Sequence, residues 1–370
     1  MWAFIKRHAW WIIPLLIFDF FLFRWLWNRP VDSSPVGAGE RTALHPVAAR
    51  PLPRPLGRLY GYPTDQQDLW DTESLEVYQP TASGRIESAL YGSVRTRSSG
   101  GRLLPAFHMG IDIASLNRDR RNRPLDAIYA VTEGHVAYIN AIAGNSNYGI
   151  YVVLVHDDPL GQIYTLYAHL ARVQSGLSVG DAVARGEEIG VMGNTPTRII
   201  PMARAHLHFE IGVINNQRFA RWYRQTDRTP DHGNWHGHNL TGVDPLAVFG
   251  AGGNPVRFSL WDYLENLEPA YTLIIAANRQ IDYFQRYPRL WRGEDYDGTA
   301  MVMTVSEGGV PLSGRTATAA EREQLGRETV VVQSVNEEVL GRNGLRHVVR
   351  RQGEWTWGRN GEYWWEIFSF

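Results

Sequence analysis

Polar and apolar positions alternate through Ala205-His206-Leu207-His208-Phe209-Glu210-Ile211, which is the period of a β-strand. In a strand His206, His208 and Glu210 share one face, and Leu207, Phe209 and Ile211 share the other. The apolar face is suited to burial. The opposite face presents two imidazoles about 7 Å apart at their Cα atoms. Neutral imidazole is the commonest protein ligand for zinc, so a metal site is one reading. Two partly exposed strand histidines are the other. A metal site needs further ligands from elsewhere in the chain.

Two other stretches supply candidates. Phe107-His108-Met109-Gly110-Ile111-Asp112-Ile113-Ala114 places a histidine and an aspartate four residues apart. On a helix that spacing would put both on one face. Gly110, the β-branched Ile111 and Ile113, and the lack of a cap predict a turn leading into a strand instead. Tyr164-Thr165-Leu166-Tyr167-Ala168-His169-Leu170 reads as an aromatic-rich strand ending in another histidine. Further strands are predicted over residues 127–131, 135–139 and 150–156, where β-branched and aromatic residues lie between Gly, Asn and Asp turns. Short strands at this spacing predict a mainly β, mostly antiparallel core. His135 and His156 read as strand-end residues in this pattern.

In this order, H-x-x-x-D, Y-A-H-L and H-L-H-F-E resemble the M23 metallopeptidases of the lysostaphin and LytM type. The resemblance runs from about Tyr91 to Phe249. It takes in Ala130-Val131-Thr132-Glu133-Gly134-His135-Val136, Val179-Gly180-Asp181-Ala182-Val183, Arg185-Gly186-Glu187-Glu188-Ile189-Gly190 and Val243-Asp244-Pro245-Leu246. It implies an antiparallel β-sheet catalytic core with one Zn²⁺ per chain, held by His108, Asp112 and His208. It also implies that His169 and His206 stand unligated at the catalytic water. Three protein ligands with an open fourth position is the arrangement of a catalytic zinc. The implied activity is hydrolysis of peptide cross-links in bacterial peptidoglycan. The alternative is a non-catalytic relative that binds the wall or activates another wall hydrolase. Such relatives lose ligands, whereas all five positions are filled here. Which of His169 and His206 is the base stays open.

The sequence departs from the family before the H-x-H motif, where residues 193–205 form a long apolar loop with Arg198 and Arg204. Residues 115–126 read as an expanded basic loop, most of whose arginines are expected in solvent. A second H-x-H lies in Asp231-His232-Gly233-Asn234-Trp235-His236-Gly237-His238-Asn239. Its Gly, Asn and Asp neighbours make it a loop. It is expected to line the substrate groove with Trp222, Tyr223 and Trp235 rather than to hold a metal.

Composition changes the picture in three ways. The chain has 370 residues, enough for two domains, and 44% of them are apolar. A net charge of -1 argues against a nucleic-acid partner drawn by a bulk field. With no cysteine there is neither a disulfide nor a thiolate zinc site.

The ends of the chain carry their own expectations. After Lys6-Arg7 the run from Ala9 to Trp27 is apolar and about 20 residues long, enough to span a bilayer. Tryptophans stand at both of its ends, as in an aromatic belt, while Asp19 is out of place in lipid. Residues 1–28 are thus expected to be a transmembrane anchor, or a cleaved signal. The preceding charge would leave the rest of the chain outside the cytoplasm. Residues 29–56 form a Pro-rich spacer. Residues 57–90 are expected to pack beside the catalytic domain (91–250), and residues 255–370 to form an α+β accessory domain. There, residues 259–291 lean helical with a break at Pro269, and Asp262, Glu265 and Glu268 share an acidic face. A capping box starts a helix at Thr318 with Glu321, and Asn360-Gly361 signals a hairpin turn between Trp355-Thr356-Trp357 and Tyr363-Trp364-Trp365. Those aromatics are either plain core or a surface for wall sugars or peptides. Nothing in the sequence names a protein partner.

Overall fold

Strand β1 (Gly92–Ser99) turns back on β2 (Arg102–His108), and β2 delivers His108 at its last position. This computed structural model describes residues 61–99, 102–196, 200–226, 228–250, 259–343 and 347–370. The expected anchor at 1–28 and spacer at 29–56 lie outside the described residues. Among the described residues no helix is long and apolar enough to cross a membrane.

After Met109-Gly110 the chain enters β3 (Ile111–Ala114), so a turn and a strand carry the H-x-x-x-D motif. Gly110 is required there, because a Cβ would lie 2.1 Å from the carbonyl oxygen of Phe209. There follow β4 (Ala127–Tyr129), β5 (Gly134–Asn140), β6 (Ile150–Asp158), β7 (Gly161–Val173), β8 (Ala182–Val183), β9 (Glu188–Met192), β10 (His206–Ile214) and β11 (Leu240–Val243). β3 to β11 form one antiparallel sheet of nine strands, with β10 between β7 on one side and β3 and β11 on the other. Every residue of β10 is buried. Leu207, Phe209 and Ile211 enter the main core with Ile111, Ile113 and Tyr167. The polar face of β10, read from the sequence as either a metal site or two partly exposed histidines, is covered as well.

Residues 61–90 run along this sheet. Ala114 N donates to Val77 O (2.9 Å) and Gln79 N to Asp112 O (3.0 Å), so residues 77–79 lie along the free edge of β3.

The remaining described residues form helices α1 (Phe219–Arg224), α2 (Pro245–Gly250) and α3 (Leu260–Glu265), then β12 (Tyr271–Ala276), α4 (Asp282–Arg286), β13 (Ala300–Val305), β14 (Pro311–Thr316), α5 (Ala319–Leu325), β15 (Val330–Val335), α6 (Glu337–Asn343), β16 (Val348–Arg351), β17 (Glu354–Trp357) and α7 (Arg359–Ser369). A second antiparallel sheet has the order β14-β13-β12-β15, and β16 and β17 make a separate hairpin. The capping box at Thr318 and Glu321 starts α5.

Two local expectations need correction. Between α3 and α4 the run Tyr271-Thr272-Leu273-Ile274-Ile275-Ala276 is a central strand, not helix. β-branched apolar residues buried between two neighbours favour a strand over the helical pattern around them. Asn360-Gly361 lies inside α7, and the hairpin turns instead at Gln352 (φ +50°) and Gly353 (φ +91°). Gly361 is needed for close approach: a Cβ there would meet His347 O at 2.5 Å.

The two sheets share one hydrophobic core. Polar links join them too. Tyr287 Oη donates to Gln162 O (2.8 Å) and accepts from Ile214 N (3.1 Å). Asp158, at the end of β6, accepts from Leu260 N and Trp261 N at 2.8 and 3.1 Å and so caps α3.

Candidate metal centre

The register of β10 sets His208 opposite Asp112 of β3 on one side and Ala168 of β7 on the other. His108 comes from the end of β2. The three residues His108, Asp112 and His208 are 2%, 3% and 6% exposed. His108 Nε2 lies 3.0 Å from His208 Nδ1 and 3.1 Å from Asp112 Oδ1, and His208 Nδ1 lies 2.9 Å from Asp112 Oδ1. These near-equal edges suit donors around one small cation, since tetrahedral zinc with bonds of ~2.0–2.1 Å spaces its ligands about 3.3 Å apart. Two imidazoles and a carboxylate are also the right donors for zinc. Among the described residues this is the cluster of histidine and acid side chains close enough to share an ion.

Each imidazole is held from behind. His108 Nδ1 donates to Leu90 O (2.7 Å), which leaves Nε2 for the centre. His208 Nε2 donates to Glu210 Oε1 (2.8 Å), which leaves Nδ1 for the centre. Such outer partners fix the tautomer and ring orientation of a metal-binding histidine. Glu210 is only 1% exposed and also accepts from the Tyr148 and Tyr164 hydroxyls, both at 2.8 Å. Asp112 turns its second oxygen to the Arg95 guanidinium, whose Nε donates to Ser88 O (2.8 Å).

These contacts set the charges. Burial alone would raise the pKa of Asp112, but Arg95 and His108 hold it well below the usual carboxylate range. Burial pulls His108 down to about 4 against the attraction of Asp112. Burial acts the same way on His208, but hydrogen bonds to Asp112 and Glu210 outweigh it and lift His208 to about 9. To hold a metal ion through Nδ1, His208 would have to give up a proton.

His206 and His169 stand beside this cluster, with ring centroids 4.8 Å apart. His206 Nε2 is 3.6 Å from Asp112 Oδ2, and His206 Nδ1 donates to Arg204 O (2.7 Å). His169 Nδ1 donates to Thr195 O (2.9 Å). Both rings thus carry their lone pair on Nε2. Burial, with neighbouring His206 and His208, holds His169 well below the usual imidazole value, and burial lowers His206 despite Asp112. His169 has φ +62°, a left-handed conformation uncommon outside glycine. The β6–β7 register shifts beside it, and such a bulge re-aims a side chain.

The five predicted positions therefore meet in one place. The second histidine loop does not join them. His232 accepts from Tyr138 Oη (2.9 Å) and donates to Asn145 O (3.0 Å), and His236 stacks on Phe219. Trp222 and Tyr223, expected along a groove, are buried with Phe219 and Ile367. Arg118 of the basic loop is no free surface charge either, since it donates to Met202 O (2.8 Å) and Ala205 O (3.1 Å).

The sequence reading missed the supporting residues. Glu210 was visible, two residues past His208 on the same strand face, but carried no role. Tyr148, Thr195, Arg95 and the Leu90 carbonyl left no local signal.

Residues 106–220, which include all five positions, match the sequence model of Peptidase family M23. This segment is of the M23 type. Among solved structures the chain is similar to a zinc containing peptidase from Vibrio cholerae, with 25% identity over 36% of this chain and 35% of that one and a TM-score of 0.25. It is similar to the catalytic domain of the antimicrobial peptidase lysostaphin from Staphylococcus simulans, with 21% identity over 43% and 88% of the two chains and a TM-score of 0.27. A third is the catalytic domain of a prophage-encoded M23 protein from Enterococcus faecalis, with 22% identity over 32% and 78% and a TM-score of 0.23. The match spans about a third of the Vibrio peptidase. At these TM-scores the structural likenesses carry no argument, and the M23 assignment rests on the sequence. No curated protein matches the chain.

Proposed function

We propose that the M23 segment is a zinc-dependent endopeptidase that hydrolyses peptide cross-links of bacterial peptidoglycan. The observation that carries this reading is the meeting of His108 Nε2, Asp112 Oδ1 and His208 Nδ1 within 3.1 Å of one another, beside two further histidines with fixed tautomers. Zinc held by those three atoms would polarise the scissile carbonyl and lower the pKa of a bound water to about 7. The chain's own residues supply the rest. His108 and His208 are locked by Leu90 O and Glu210, so the donors are set before the ion arrives. His206 and His169 are neutral at pH 7 by burial and present Nε2 as an acceptor. Either Nε2 can take the proton of the attacking water and hand it to the leaving amine. The guanidinium of Arg95 offsets charge on Asp112. The substrate class rests on the family; the hydrolytic chemistry rests on the residues. The proposal extends to position: residues 1–28 anchor the chain in a membrane and leave the M23 segment outside the cytoplasm.

Metal analysis with turnover on purified peptidoglycan tests the reading. The expected result is one zinc per chain, lost in His108→Ala and Asp112→Ala. His206→Ala keeps the zinc and loses most hydrolysis. Wild-type protein that holds zinc, cleaves nothing and stimulates a second wall hydrolase would establish the regulatory alternative instead.

A further inference from the structure

Asp112 divides its two oxygens between two sets of partners. Oδ1 lies 3.1 Å from His108 Nε2 and 2.9 Å from His208 Nδ1, whereas Oδ2 is taken by Nη2 of Arg95. The pair is closed in: the Arg95 side chain is 25% exposed and that of Asp112 5%. Arg95 is held at a second point, because its Nε donates to Ser88 O (2.8 Å). Two anchors fix the plane of the guanidinium fork, which a point-like ammonium lacks.

The backbone aims this residue. In the β1–β2 pair Gly92 lies opposite His108 and Arg95 opposite Ala106, so β1 carries one extra residue between them. A bulge of that kind bends a strand and re-aims its side chains. Ala106 and His108 are two apart on β2, so the strand period puts Arg95 on the face of the hairpin that His108 occupies. Leu90 O behind His108 and Arg95 behind Asp112 thus both come from residues just upstream of the H-x-x-x-D motif. Neither belongs to residues 106–220, the segment that matches the family model.

Oδ2 matters because of where it points. It lies 3.6 Å from His206 Nε2, on the side that the M23 resemblance assigns to the catalytic water. A carboxylate can bind a cation through one oxygen or through both. Bound through both, Asp112 would crowd the position that a catalytic zinc keeps open. A charge-assisted hydrogen bond to Oδ2 opposes this.

We propose that Arg95 is a positioning residue that confines Asp112 to Oδ1 as its metal-binding atom, and so keeps the place beside His206 open. The inference rests on the metal reading of His108, Asp112 and His208, and it adds to that reading a residue from outside the family segment.

The test is cobalt(II) loading of the full-length chain, read by visible absorption, because four-coordinate cobalt absorbs far more strongly than five-coordinate cobalt. The wild type is expected to give the intense four-coordinate band. Arg95→Met, which keeps an unbranched side chain without donors, is expected to lose most of that intensity while it still binds one cobalt per chain. Arg95→Lys, which returns a cationic donor to Oδ2, is expected to recover the band in part. An unchanged band in Arg95→Met, or no recovery in Arg95→Lys, would overturn the proposal. X-ray absorption at the zinc edge of the wild type depends on the folding of no variant. A carboxylate bound there through both oxygens would overturn this inference alone and leave the metal reading standing. A wild type that takes up neither zinc nor cobalt would overturn the metal reading, and this inference with it.

Discussion

His208 Nε2 donates to Glu210 Oε1 across 2.8 Å, from the next same-facing position of one strand. The strand period that makes them neighbours also turns His208 Nδ1 toward Asp112 and His108. Glu210 is thus a positioning residue for the candidate metal centre. Glu210→Gln is expected to weaken zinc affinity about 10–100-fold, measured by competition with a chelator. Unchanged affinity would rule out this role.

Gly149 and Thr195 make the clearest backbone constraint. Gly149 has φ +65°, and a Cβ on it would lie 1.6 Å from Thr195 O, the acceptor for His169 Nδ1. Gly149→Ala must push that carbonyl away and strain the backbone, at a cost of about 1–3 kcal/mol. It should lower kcat on peptidoglycan at least ~10-fold, because His169 loses its fixed tautomer, while zinc content stays at the wild-type level. Loss of zinc in step with activity would place the damage elsewhere.

Acid should weaken the second half of the chain through His347. Burial pulls this histidine down to about 3, and its Nδ1 accepts from Tyr271 Oη (2.8 Å). Unfolded, it would titrate near ~6.5. Between those values the unfolded chain binds a proton that the folded chain refuses, so stability falls as pH drops from about 6.5 towards 3. The contribution of a shift this size is a few kcal/mol. His156, lowered by burial to about 4, acts in the same direction from the first sheet. Urea midpoints at pH 7 and pH 4 should differ more for the wild type than for His347→Gln. An equal difference would exclude His347 as a source of acid lability.

Asp158 couples the two sheets by capping α3 through Leu260 N and Trp261 N. Asp158→Ala removes both acceptors and should cost about 1 kcal/mol. A lower thermal midpoint with unaltered zinc content is expected. No change in the midpoint would mean that the cap is replaced by water.

The chemistry-bearing residues were legible because strands advertise their faces. Alternation put His206, His208 and Glu210 together, and Gly110 with two isoleucines made a turn and a strand of the H-x-x-x-D stretch. The same logic failed at residues 271–276. There a helical pattern on both sides masked a strand whose β-branched residues are stabilised by neighbours far away in sequence. It failed again at Asn360-Gly361, where a dipeptide common in turns serves helix packing against His347.

By itself the sequence pointed, through its resemblance to the M23 metallopeptidases, to five side chains that could hold and serve a metal, and its strand pattern predicted the mostly antiparallel β core that carries them. Only the tertiary structure decided that Asp112 faces His208 across a strand pair, that Leu90 O and Glu210 fix which nitrogens are free, and that Arg95 neutralises the second oxygen of Asp112. The reason is physical. Side-chain direction along a strand follows from a local period of two, whereas register, tautomer and charge compensation depend on groups brought together by packing. No local pattern encodes those partners.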